Sequence, residues 1–198
     1  DEVYFVVKRT VGGATVKYIE RMHIRENADL GDAWFVDCGK LFTAETATKN
    51  VTGLTHLAGK SVSGVADGVA FSGKTVSAEG AITLDTAASN VIVGLPYTSD
   101  LETLNIEFQT NTGTAQARKK RIGEVVLRLK DSAGGYVGPD ATRLMPIKYP
   151  SGATFPYTGD VRVYLNNSFG EDGRVFVRQS EPYPMTVLAV LPVVTTGE

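Results

Sequence analysis

With 198 residues, 42% of them hydrophobic, the chain is long enough for one large β domain or two small ones and too apolar for a disordered tail. Its 20 basic and 22 acidic residues give a formal charge of −2, which excludes a global field drawing the whole molecule to nucleic acid or anionic lipid; such contact needs a local patch. The longest apolar runs, such as 187–191, are too short to cross a bilayer. A start at Asp1 with no charged-then-apolar leader reads as an excised or processed fragment.

The dominant periodicity is two, which places successive side chains on opposite faces of a strand. Residues 3–7 and 16–20 flank Val11-Gly12-Gly13 and predict a hairpin, which must pack on something because an isolated one is marginal in water. A polar connector follows at 27–32, and 34–38 reads as a strand. A second hairpin pairs 60–66 with 69–71 across Asp67-Gly68, a strong two-residue turn signal. Strands are expected at 81–84 and 90–93, ended by Gly94-Leu95-Pro96, with a boundary over 98–104. Ser99-Asp100-Leu101-Glu102 has capping-box spacing, but no apolar periodicity follows, so it allows one helical turn at most.

Beyond the boundary, longer strands are predicted at 105–108, 122–130, 160–166, 174–179 and 185–191. Val125, Leu127 and Leu129 alternate with Arg128 and Lys130, and Val161, Val163 and Leu165 with Arg162 and Tyr164. The expected fold is all-β: an N-terminal β-hairpin (1–26) ending an upstream region, a small β-barrel-like domain (27–100), and a β-sandwich (101–198).

Signals for chemistry are sparse. Cys38 is the one cysteine, so no internal disulfide or cysteine-based zinc site forms; it reads as a small buried core thiol, and a reducing compartment fits. Gly59-Lys60-Ser61 ends like a phosphate-binding loop, but position 54 is Leu54 and a strand follows, so it reads as a loop–strand junction. Asn50-Val51-Thr52 and Asn166-Asn167-Ser168 match the glycosylation pattern without a secretory signal. The segment 166–173 lacks calcium-loop spacing and reads as a polar hairpin loop. His56 reads as a strand-edge or core histidine, while Asp37, Asp67 and Asp85 sit at strand ends or turns. Catalytic, cofactor and metal residues are therefore expected to be none.

One charge feature is concentrated: Arg118-Lys119-Lys120-Arg121. Its bland reading is a solvated loop that deters edge-to-edge strand pairing. Its functional reading is an electrostatic contact, with phosphates or with an acidic patch on a neighbouring subunit. Without interleaved aromatics it would not read bases, so any DNA contact would be sequence-independent and salt-sensitive.

Taken in order, several segments resemble one family. They begin with Asp1-Glu2-Val3-Tyr4-Phe5-Val6-Val7-Lys8-Arg9-Thr10, Tyr18-Ile19-Glu20-Arg21 and Ala33-Trp34-Phe35-Val36-Asp37. Gly53-Leu54-Thr55-His56-Leu57-Ala58-Gly59-Lys60-Ser61-Val62, Ala66-Asp67-Gly68 and Val93-Gly94-Leu95-Pro96-Tyr97 come next. Gly113-Thr114-Ala115-Gln116 with the basic run, Tyr157-Thr158-Gly159-Asp160 and Gln179-Ser180-Glu181-Pro182-Tyr183-Pro184-Met185-Thr186-Val187-Leu188-Ala189 complete the series. Together they resemble the C-terminal portion of tailed-phage (podovirus-type) tail nozzle proteins, also called tail tubular or stabilisation proteins.

The resemblance implies a non-enzymatic module of a larger protein with an upstream propeller-like region. It implies assembly in the bacterial cytoplasm into a virion tail, as a ring of copies through which DNA is ejected. Implied partners are other copies, other tail and portal-adaptor proteins and non-specific contact with passing DNA, with no membrane partner. The stretch 53–97 also resembles a small β domain likened to a ubiquitin-activating enzyme subdomain, but the chain carries no adenylation or thioester signature. Segments 41–50 and 141–153 match nothing in the family. The reading from a different class is an extracellular β-sandwich adhesin or carbohydrate-binding module.

Overall fold

The computed structural model describes residues 2–23, 29–110, 113–116 and 118–197. The chain divides between Tyr97 and Thr98 into two compact units, and the short segment Glu181–Pro184 belongs to the first. Positions 27 and 28 of the expected polar connector lie outside the described residues. Among the described residues, no helix is long and apolar enough to cross a membrane.

The first unit opens with the expected hairpin, β1 (Tyr4–Val11) and β2 (Ala14–Arg21), in register from Tyr4 opposite Arg21 to Val11 opposite Ala14. Gly12 and Gly13 have φ of 55° and 82°, the pair of positive values that a two-residue turn matching strand twist requires. Strands β3 (Asp37–Val51), β4 (Ser61–Ala66), β5 (Val69–Thr75) and β6 (Ile82–Leu95) form one antiparallel sheet in the order β3-β6-β4-β5. Asp67 and Gly68, φ 46° and 83°, make the β4–β5 turn in the same way. Buried Val62, Val91 and Val93 of the sheet meet Leu54 and Leu57, which a one-turn 3-10 helix (Thr55–Leu57) presses onto them.

Three expectations for this unit need correction. The sheet does not close into a barrel: β3 and β5 are its opposite edges, and closure would need a β3–β5 ladder that is absent. Residues 82–84 and 90–93 are not separate strands but parts of β6, which stays extended through its polar middle because β3 pairs with it across bulges. That partner includes the unassigned stretch 41–50, and it begins at Asp37, so Trp34 and Phe35 lie outside the strand.

In the second unit, β7 (Ser99–Glu102) leads to a small ribbon of β8 (Gln109–Thr110) and β9 (Gly113–Thr114). The remaining strands are β10 (Lys120–Ser132), β11 (Tyr136–Gly138), β12 (Met145–Pro146), β13 (Tyr157–Tyr164), β14 (Phe176–Gln179) and β15 (Thr186–Thr196). They form antiparallel sheets ordered β13-β10-β15 and β12-β11-β14-β7. Val125, Leu127, Leu129, Val161 and Val163 from one sheet share a core with Val137 and Val177 from the other, which makes this unit a sandwich. Each such side chain, buried against water, stabilises the fold by roughly 1.5–3 kcal/mol.

Ser99-Asp100-Leu101-Glu102, where the sequence allows one helical turn at most, is strand β7, with Asp100 and Glu102 paired to Arg178 and Arg174 at 2.7 and 3.2 Å. One further expectation fails here. Residues 105–108 are not a strand, although the Ile106 amide donates to the Gly173 carbonyl at 2.9 Å and its side chain packs on the core.

Candidate functional site

Strand alternation decides what becomes of Arg118-Lys119-Lys120-Arg121. Lys120 and Ile122 share a face, and that face points inward: they are 2% and 1% exposed. The Lys120 ammonium donates to Glu107 Oε1 at 2.9 Å, and its backbone exchanges hydrogen bonds with Gly170 at 2.7 and 3.0 Å. Arg121 faces outward, its guanidinium 5.8 Å from the centre of the Phe169 ring. Lys119 is exposed, with its carbonyl accepting from Gly197, and Arg118 is half-buried in a turn closed onto Ala115. The four charges therefore do not form one basic surface. Lys120 is taken up in an ion pair with Glu107, which leaves Lys119 and Arg121 as the exposed cations of the run.

A concavity lies in the first unit, a cleft of about 960 Å³ whose lining includes Tyr18, Glu20, His23, Trp34, Cys38 and His56. No local sequence signal connects these residues. Arg9 reaches along the inner face of the hairpin and grips Glu20 with two hydrogen bonds of 2.9 and 2.8 Å, both side chains about four-fifths buried. That bond holds the Glu20 carboxyl below its ordinary range, assisted by a hydrogen bond from the Cys38 thiol.

Cys38, the second residue of β3, has φ at 52°, in the left-handed region, and packs against the margin of the sheet core. It is half-buried and not the core thiol expected. Burial first, and the Glu20 charge second, push the thiol up to about 11, so it is protonated at neutral pH. His56 stands over the same backbone with Nε2 3.2 Å from the Cys38 carbonyl. A carbonyl only accepts, so Nε2 carries the hydrogen and points at backbone, not at sulfur. His56 also sits edge-on to Tyr18, ring centres 6.5 Å apart.

Trp34 is similarly engaged. Its ring stacks on His23 at 4.6 Å and 6°, and a Cβ on Gly39 would come within 2.9 Å of its indole nitrogen. Gly39 is thus the residue that lets the indole approach the start of β3. The Glu20 contact with Cys38, and the contacts of His56 with Tyr18 and the Cys38 carbonyl, tie the hairpin to the start of β3. Among the described residues, no group of three or more His, Cys, Asp and Glu side chains comes together to hold a metal ion. No protein-family model matches the chain, and no curated protein is significantly similar to it.

Proposed function

We propose that the chain is a structural module of a phage tail, part of a nozzle or adaptor ring around the DNA channel, and that it performs no catalysis. The observation that carries this reading is the ordered series of nozzle-like segments along nearly the whole sequence, from the first hairpin to the stretch Gln179 through Ala189. Its physical complement is an all-β architecture whose cleft spends its titratable groups on fastening strands. A channel wall needs stiffness and lateral contact, and paired strands supply both.

Ring symmetry would make each lateral interface heterologous, one face of a copy meeting a different face of the next. The partners under this reading are other copies and other tail or portal-adaptor proteins. Passing DNA would touch Lys119 and Arg121 without sequence preference. The carbohydrate-binding alternative draws no support from Trp34, the only tryptophan, because its ring is stacked on His23 and set against Gly39.

Immunogold labelling of virions with antibody against the chain, together with negative-stain imaging of the purified protein, tests the reading. Label at the tail, or ring-shaped particles, supports it. Unlabelled virions, and a monomer that binds on a glycan array, would replace it with the adhesin reading.

A further inference from the structure

The β1–β2 register places Tyr4 opposite Arg21, Val6 opposite Ile19, Lys8 opposite Lys17 and Thr10 opposite Thr15, all on one face. Every one of these eight residues is exposed, whereas six of the eight on the other face (Val7, Arg9, Val11, Val16, Tyr18 and Glu20) are half-buried and only Phe5 and Ala14 are exposed. Two features of the outer face are costly in water. Val6 and Ile19 are adjacent aliphatics at 74% and 78% exposure. Lys8 and Lys17 lie directly opposite with like charge, an arrangement that weakens a strand pair. The hairpin's ion pairs are Arg9–Glu20 and Arg21–Glu2, so among the described residues neither lysine has a carboxylate partner.

We propose that this outer face is a docking surface for an acidic protein segment in extended conformation. Charge complementarity is the argument: carboxylates laid across Lys8 and Lys17 turn a repulsive row into an attractive one. The aliphatic row beside them sets the partner's other requirement. Residues two apart on a strand share a face and are spaced roughly 7 Å, so an extended chain carrying an acidic and an aliphatic side chain two positions apart matches both rows at once. Val6 and Ile19 also discriminate against nucleic acid, since phosphates gain nothing from aliphatic side chains at the centre of the contact. The inference stands independently of the tail assignment, because a module of any assembly would present the same face.

The test titrates the whole chain with three short synthetic peptides in which every second residue alternates Glu with Val, Lys with Val, or Ser with Val, with Ser at the positions between, while backbone amide shifts are recorded. The expected result is binding of the Glu–Val peptide, with shifts at Val6, Lys8, Lys17 and Ile19 and weakening as salt rises. The double change Lys8→Glu and Lys17→Glu should lower that affinity by roughly tenfold or more and transfer preference to the Lys–Val peptide. Both positions are exposed, so an unchanged circular dichroism spectrum should accompany the swap. Equal binding of the Ser–Val peptide, no shift with any peptide, or an affinity indifferent to charge reversal overturns the proposal. So does a DNA duplex that shifts the same amides and is unaffected by Val6→Ser with Ile19→Ser, or a salt-insensitive dimer formed through this face.

Discussion

The hydroxyl of Tyr183 accepts a hydrogen bond from the Ala70 amide at 2.7 Å and donates to the Gly68 carbonyl at 3.2 Å. A residue more than a hundred positions downstream thereby pins the β4–β5 turn, and the short segment carrying it belongs to the first unit for this reason. Tyr183→Phe keeps the ring and strands both backbone groups. The expected cost is about 1–3 kcal/mol, read as a lower denaturation midpoint of the first unit with faster hydrogen exchange at Ala70. Burial also raises the Tyr183 phenol above its ordinary value of 10.0. The wild type should therefore lose stability as pH climbs past that value, a loss that Tyr183→Phe removes.

Lys120 and Glu107 form a lopsided pair, with side chains 1% and 35% exposed. Glu107→Gln leaves a buried ammonium without its counter-charge, whereas Lys120→Met leaves a carboxylate that water still reaches. Urea denaturation of the second unit should show Glu107→Gln costing about 2–3 kcal/mol, less than a fully buried pair because of that water. Lys120→Met should cost under about 1 kcal/mol.

This asymmetry marks where the sequence is readable and where it is not. Alternation at Val125, Leu127 and Leu129 gives the sandwich core directly, and Asp67-Gly68 gives its turn by chemistry alone. The inward direction of Lys120 is also within reach, because it stands two residues before Ile122. The run of four cations masks it: local charge dominates, and strand phase has to be followed back past the bulge between Ile122 and Glu124. The cleft is out of reach. Arg9, Glu20, Cys38 and His56 come from separate elements, and nothing local announces that Cys38 takes φ 52°. The open sheet in place of a barrel, likewise, depends on which strands become edges, a long-range property absent from two-residue periodicity.

At Cys38, the raised thiol sets two linked outcomes. At neutral pH its alkylation by iodoacetamide should be far slower than that of a free thiol, because little thiolate is present. The folded thiol titrates near 11 against an ordinary 9.0, so the neutral form favours the folded state. Its contribution to stability is complete below pH 9 and is lost as pH rises from there through about 11. Thermal melts across that window should fall less steeply for Cys38→Ala than for the wild type, and equal slopes would remove the thiol as the cause.

The most demanding position in the first unit is Gly64, in the middle of β4. A Cβ there would lie 2.0 Å from the Ile92 carbonyl oxygen and 2.9 Å from the Val93 Cα, both backbone atoms of the neighbouring strand β6. Backbone cannot rotate aside as a side chain can, so Gly64→Ala must spread β4 from β6 and break ladder hydrogen bonds flanked by buried Val65 and Val93. The expected cost is about 3 kcal/mol or more, measured as loss of the first unit's cooperative unfolding transition. Gly73→Ala supplies the comparison: Gly73 has φ 69°, but a Cβ added there would meet nothing within 4 Å. It should therefore cost only the strain of its backbone, about 1–2 kcal/mol. If the two variants melt alike, close approach between β4 and β6 is not what requires glycine at position 64, whose φ is not positive.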